Sequence, residues 1–273
     1  MNKNLATRLF NEPSPLRAVC RVIARRFHLG SYSFRLGIGA VVRPHYAYLV
    51  NQAARLAARL GQPRVSILEF GVAGGAGLLA LEYHAEQAEK LYPVKIEIYG
   101  FDTGKGLPEA LDYRDMPYFY KPGFYEMNVP VLQARLKRAK LVLGNVSHTV
   151  GGFFKEFNPA PIGAISHDLD FYSSTMAAFK LFDAGGADFL PRVFCYFDDT
   201  IGRETELFGD FTGQRLAIHD FNEGHAGAKL TPIYYLRANP AARQWHHQMW
   251  ALHLFDHADY NKFVSDDDPQ LPI

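Results

Sequence analysis

The chain has 273 residues, 48% of them hydrophobic, and a formal net charge of +1 at pH 7. This composition supports one substantial core and argues against a disordered chain, a fibrous repeat or a protein built to coat nucleic acid. No apolar run approaches the roughly 20 residues that span a bilayer, and the first residues lack a secretory pattern. A cytoplasmic protein without a membrane span is expected. Cys20 and Cys195 are too few for a disulfide framework or a thiolate zinc site, so both are expected as free thiols.

Residues 1–43 read as a basic helical extension. Arg8, Arg17, Arg21, Arg25 and Arg26 interleave with Leu16, Val19, Val22, Ile23 and Phe27, an amphipathic pattern whose apolar stripe needs a partner. That partner is this domain, another subunit of a homo-oligomer, or a membrane surface. Packing within the molecule or between subunits is the expectation, because arginine stems commonly cover apolar surface.

Pro44 opens a helix carrying Tyr48, Leu49, Ala53, Leu56 and Leu60, ended by Gly61 and Pro63. Arg64 to Phe70 reads as a buried strand, followed by a glycine-rich turn and a helix through Leu91. The alternation continues with strands at 94–101, 140–143, 162–167 and 192–197 and helices at 131–138 and 173–183. Beyond Gly213 a helix runs to about Phe221, then 229–237 and 249–255 read as a closing strand pair. Strands alternating with helices imply a mostly parallel sheet covered on both faces, and the closing pair adds an antiparallel edge. A catalytic domain over 44–265 and an acidic tail over 266–273 complete the expected organisation. Residues 103–128 fit neither pattern and are rich in Pro, Gly, Tyr and Phe, the mark either of a lid or of an aromatic loop packed on the sheet edge.

Glu69-Phe-Gly71-Val-Ala73-Gly-Gly75-Ala-Gly77 leaves a strand and enters a helix, so backbone can approach a nucleotide-type cofactor closely. A dinucleotide would bring a pyrophosphate to that turn, whereas S-adenosylmethionine brings a sulfonium and an ammonium group. An acid at the strand end favours the cation, and Glu69 is expected to meet the amino-acid part directly or through water. Asp102 is expected to accept both ribose hydroxyls. Asn145 either presents its amide to an adenine edge or is a left-handed turn residue. Gly71, Ala73, Gly75 and Thr103 complete the expected cofactor set.

Asp168 and Asp170 follow one strand, and Asp198 and Asp199 follow the next. Neighbouring strand ends of a parallel sheet converge on one edge, so Asp168, Asp198 and Asp199 are expected to gather and to hold a hard divalent cation, Mg²⁺. Asp168 and Asp198 are the expected catalytic residues. Asp170 alone is expected to cap the next helix. His219 and His225 are weak candidates for a base.

Four blocks resemble the macrocin O-methyltransferase family: Leu68-Glu-Phe-Gly-Val-Ala-Gly-Gly75, Tyr99-Gly-Phe-Asp-Thr-Gly-Lys-Gly-Leu-Pro-Glu109, Asp168-Leu-Asp-Phe-Tyr-Ser-Ser-Thr175 and Phe197-Asp-Asp199. The resemblance implies an α/β, Rossmann-like class I methyltransferase fold, S-adenosylmethionine as donor, Mg²⁺ as metal, and a small-molecule or glycan hydroxyl as acceptor. Departures fall at Ala73, Thr103, Gly104 and Thr200. The competing readings are a metal-dependent glycosyltransferase using Asp168 and Asp170, an NAD-type oxidoreductase, and a non-catalytic relative that keeps the fold.

Overall fold

The computed structural model describes residues 15–239 and 242–265. The expectations for Arg8 and for the acidic tail lie outside the described residues. Seven strands form one sheet: β1 (Arg64–Phe70), β2 (Lys95–Asp102), β3 (Lys140–Leu143), β4 (Ile162–His167), β5 (Phe189–Phe197), β6 (Ala228–Pro232) and β7 (Met249–Leu254). Their order is β3-β2-β1-β4-β5-β7-β6. Strands β1 to β5 pair in parallel, while β7 runs antiparallel to both β5 and β6. The expected closing pair is therefore present, with β7 on the inside and the shorter β6 at the edge. The expected strand at 229–237 ends at Pro232, and Tyr234–Arg237 forms a helical turn instead. Proline has no N–H to continue the ladder.

The order reverses between β1 and β4, since β2 and β3 lie to one side of β1 and β4 and β5 to the other. Loops leaving adjacent strands diverge there and open a crevice beyond the carboxyl ends of the strands. Among the described residues the helices of seven residues or more are α1 (Pro15–Arg26), α2 (Pro44–Arg59), α3 (Ala76–Ala88), α4 (Val129–Arg135), α5 (Tyr172–Phe179) and α6 (Gly213–Gly224). Alternate residues of each strand serve opposite faces. Ile67, Ile96 and Ile98 join Leu49, Ala53, Leu78 and Leu81 on one side. Leu68, Phe70 and Ile165 join Phe179, Ile218 and Phe221 on the other. Cys20 and Cys195 are free, and among the described residues no helix is long and apolar enough to cross a membrane.

A row of rings crosses the second face. Phe101, Phe70, His167 and Phe197 are register neighbours on β2, β1, β4 and β5. The His167 ring stacks on Phe197 at 4.5 Å and 4° and on Phe70 at 5.5 Å and 16°. Neither of its ring nitrogens has a hydrogen-bond partner, and burial pushes its pKa down to about 3. A buried polar group without a partner costs about 1–3 kcal/mol. His167→Phe is therefore expected to raise stability by about 1 kcal/mol after repacking of the larger ring. A lower urea midpoint in the variant would contradict this.

On the other side of the sheet His84 is held neutral. Its Nε2–H donates to the Val42 carbonyl at 2.7 Å, and Nδ1 accepts from the Tyr32 hydroxyl at 2.9 Å. Burial lowers its pKa from 6.5 to about 4, and burial together with Arg43 lowers that of His45 to about 3. Both folded values lie below the unfolded one, so between pH 6.5 and 4 the unfolded chain binds more protons. The stability these groups confer is complete above pH 6.5 and falls by about 1.4 kcal/mol per pH unit per histidine as the pH drops. Urea midpoints taken from pH 7 to pH 4.5 should show this fall, and His84→Gln should flatten it. An unchanged slope in the variant would refute the assignment to His84.

Candidate functional site

A cavity of about 420 Å³ opens at the carboxyl ends of the parallel strands. Gly71, Ala73, Asp102, Thr103, Asn145, Asp168, Asp198 and Asp199 all line it. The aromatic segment 103–128 supplies Tyr120, Phe124 and Tyr125 to its wall. That segment packs partly inward and partly lines the cavity. Tyr120 packs on Phe171 beside Met116, while Phe124 and Tyr125 stay partly exposed at the cavity.

The glycine-rich loop is shaped by three left-handed residues, Gly71 (φ 83°), Ala73 (φ 45°) and Gly75 (φ 78°). Gly71 has no substitute, because a Cβ there would overlap the Asp168 carbonyl oxygen at the start of the β4 loop. Its neighbours are tied down as well: the Gly71 N–H donates to the Phe101 carbonyl at 2.9 Å, and the Asp168 N–H donates to the Phe70 carbonyl at 2.8 Å. Gly75 caps α3 and does not line the cavity; a Cβ on it would overlap Leu132 of α4. The absence of a Cβ there lets α3 and α4 pack closely. Ala73 accepts a conformation that costs an L-residue about 1–2 kcal/mol, and the strain is met by a specific tether.

That tether is Asp102. Its Oδ2 accepts from the Val72 and Ala73 N–H groups, both at 2.9 Å, and Oδ1 accepts from the Gly104 N–H at 2.7 Å. A carboxylate offers about four lone-pair sites. Three are taken by backbone, which leaves one free toward the cavity. Thr103 closes the same turn, donating to the Gly106 carbonyl at 2.7 Å and accepting from the Lys105 N–H at 3.0 Å. Asn145 is not left-handed (φ −64°). It caps the helical turn Val146–Thr149, its Oδ1 accepting from the Ser147 N–H at 2.9 Å and from the Ser147 hydroxyl at 2.7 Å.

Glu69 lies wholly buried and does not line the cavity. The Tyr46 hydroxyl of α2 donates to its Oε1, and its Oε2 has no partner. A Cβ at Gly77 would overlap the same carboxylate. Burial pushes the Glu69 pKa up to about 8, so a proton or a cation is needed to settle it. Glu69 therefore stands behind the cavity wall rather than in it.

Asp168, Asp198 and Asp199 each place one carboxylate oxygen within 4.8 Å of the others. Burial first, then the charges of its acidic neighbours, pushes the Asp168 carboxyl well above the usual range. Asp199 is pushed the same way for the same two reasons. Three such carboxylates in one place fit a hard divalent cation, which removes the mutual repulsion. The two halves of the double aspartate diverge. Asp199 accepts from the Asp170 N–H at 2.9 Å, and its own N–H donates to Gln214 Oε1 at 3.0 Å. Gln214 Nε2 in turn donates to the His167 carbonyl at 3.2 Å, joining the ends of β4 and β5 to the first turn of α6. Asp198 instead accepts from the Tyr196 hydroxyl, and its carbonyl accepts from Gln248. The Tyr196 ring is backed by His45, stacked at 4.5 Å.

Two expectations are corrected here. Asp170 does not cap α5: it sits buried in a left-handed conformation (φ 58°), its carboxyl bonded to Tyr120 and Asp199 and pushed up to about 6 by burial. The cap comes from Asp115 of the aromatic segment, which accepts from the Ser173 N–H at 2.8 Å and from its hydroxyl at 2.7 Å. His219 is exposed on α6, whose inward face carries Gln214, Ala217, Ile218 and Phe221. His225 stacks on Phe221 at 4.2 Å and bonds the Phe221 carbonyl at 2.8 Å. Neither histidine lines the cavity. Tyr46, Tyr196, Gln214 and Gln248, which position the acidic residues, carry no signature in the sequence.

No protein-family model matches the chain, and no curated protein matches it. Among solved structures, the calicheamicin methyltransferase CalS11 matches at 20% identity and a TM-score of 0.51, over 92% of this chain and 97% of that one. The O-methyltransferase NovP matches at 11% identity and a TM-score of 0.52, over 77% of this chain and 79% of that one. At such identities the likeness is one of architecture, and the architecture is the Rossmann-like fold of class I methyltransferases with an N-terminal helical extension.

Proposed function

We propose that the chain is an S-adenosylmethionine-dependent O-methyltransferase that uses Mg²⁺ to methylate a hydroxyl of a sugar or a glycosylated small molecule. The observation that carries this reading is the placement of three mutually close carboxylates, Asp168, Asp198 and Asp199, in the same cavity as the glycine-rich loop. The backbone at Gly71 and Ala73, the free acceptor site of Asp102, and Thr103 and Asn145 would hold the nucleoside part of the donor. Glu69, buried behind the loop with its pKa pushed up to about 8, would carry negative charge only once the donor's cationic end came within reach of its unpartnered Oε2.

Asp168, Asp198 and Asp199 would hold the metal, which when bound lowers the pKa of a hydroxyl and fixes its direction. Asp168 and Asp198 would orient the reacting oxygen, which loses its proton to solvent and forms its bond to the methyl carbon as the donor's carbon–sulfur bond breaks and S-adenosylhomocysteine leaves. His219 has no part in this reading. Tyr125 and Phe124 exclude water from the reacting centre, where an aqueous nucleophile would compete.

Calorimetry with S-adenosylhomocysteine against a panel of sugar nucleotides separates this reading from a glycosyltransferase. S-adenosylhomocysteine is expected to bind, and methyl-labelled S-adenosylmethionine to label a glycoside hydroxyl only while divalent cation is present. Preference for a sugar nucleotide would sink the reading. Donor binding with no labelling of any hydroxylated acceptor would favour a non-catalytic relative.

A further inference from the structure

Helix α1 turns its apolar side away from the domain. Ala24 packs on Ile38 and Ala40, yet Leu16, Val19, Val22, Ile23 and Phe27 are between 42% and 72% exposed. At helical spacing Leu16, Val19, Ile23 and Phe27 share one stripe. Among the described residues nothing in the domain covers this stripe, and soluble monomers seldom leave such a stripe bare.

The charge around it has one sign. The first 68 residues hold eleven Lys and Arg and a single acid, Glu12, whereas the remaining 205 hold eighteen Lys and Arg and twenty-seven Asp and Glu. Beside α1 a second cavity, of about 460 Å³, is walled by Arg25, Arg43 and Arg135 with Val41, Val42 and Leu79, and no acidic residue lines it. Among the described residues no acid lies within ion-pair distance of Arg21, Arg25 or Arg135, while Arg43 also acts on Glu69 and Asp168. A second copy pairing α1 on α1 about a two-fold axis would bring two arginine-rich helices together with no acid on either. An anionic surface neutralises them, and its hydrocarbon edge accepts the stripe.

We propose that α1 and the adjoining arginine-walled cavity form a peripheral docking surface for an anionic phospholipid bilayer, with the apolar stripe seated at the acyl boundary and the guanidinium groups on lipid phosphates. A twelve-residue helix gives reversible attachment, strengthened by charge and weakened by salt. The surface stands independently of the methyl-transfer reading.

The test sediments the full chain with vesicles of phosphatidylcholine alone or mixed equally with phosphatidylglycerol. Two double variants, Val19→Glu with Ile23→Glu and Arg21→Glu with Arg25→Glu, are compared with the parent, with circular dichroism and S-adenosylhomocysteine binding as fold controls. Binding to the anionic vesicles alone is expected, falling with added salt and by about ten-fold or more in each double variant, since one cation near an anionic surface contributes about five-fold. If the apolar variant misfolds, the arginine variant carries the test. Equal binding to both vesicle types, or none to the anionic ones, overturns the proposal. So does tight binding of free glycerol phosphate without vesicle binding, which would make the cavity a small-anion site. A dimer in light scattering that Val19→Glu with Ile23→Glu disperses would assign the stripe to a second copy. Binding that appears only after removal of residues 1–14 would assign it to that segment.

Discussion

Asp198→Asn is expected to lower turnover by about two orders of magnitude or more and to raise the Mg²⁺ concentration needed for half activity, while S-adenosylhomocysteine affinity changes little. The reasoning is geometric. Asp198 lies in the cavity with one oxygen within reach of Asp168 and Asp199, whereas the donor-side loop, beginning at Gly71 after β1, is tethered by Asp102 at the end of β2. An amide keeps the shape and one acceptor oxygen but removes the charge that binds a hard cation. Tyr196, which donates to Asp198, can donate equally to the amide oxygen, so the local fold should survive. Steady-state kinetics against Mg²⁺, paired with calorimetry, read both quantities. Equal loss of donor affinity and turnover would show that Asp198 belongs to the donor site and not to a metal site.

Gly71→Ala is expected to abolish donor binding and to lower stability by about 3 kcal/mol, or roughly 5 °C in Tm. Two costs add at this residue: a left-handed φ of 83° and a Cβ that would overlap the Asp168 carbonyl. The second cannot be relieved by a rotamer change, since the obstacle is backbone fixed by its own bond to Phe70. The loop must move, and with it both the Asp102 tether and the position of Asp168. Ala73→Gly is the matched control. Its φ of 45° suits glycine, so that exchange should leave stability within about 1 kcal/mol and donor binding intact. Thermal melts with and without S-adenosylhomocysteine measure each effect. A Gly71→Ala protein that melts like its parent and still binds the donor would contradict the close approach described.

Much of this was legible because it is local. Strands β1, β3 and β4 fall at the expected residues because each is a short apolar run bounded by turn residues, and the glycine loop follows β1 as its spacing implies. The acidic cluster was legible for a reason one step less local, since residues that end neighbouring parallel strands must share an edge. What depended on distant partners was not legible. Nothing near Ser173 shows that Asp115 would cap α5 in place of Asp170, or that Tyr46 would bury Glu69. The side of α6 that His219 occupies follows from the register of Gln214 against Asp199 and His167, which becomes visible only once β4, β5 and α6 are assembled. The α1 stripe was read correctly as amphipathic, but periodicity says only that one face is apolar, not which neighbour it meets.

The central claim is that one cavity holds a methyl donor on the glycine loop and a divalent cation on the acidic cluster. It is tested most directly by a crystal grown with S-adenosylhomocysteine and Mn²⁺ as a stand-in for Mg²⁺. The account predicts an anomalous peak within coordination distance of Asp168, Asp198 and Asp199, with the homocysteine sulfur facing it from the Gly71 side. A donor bound elsewhere, or a fully occupied donor with no metal among the three aspartates, would contradict it.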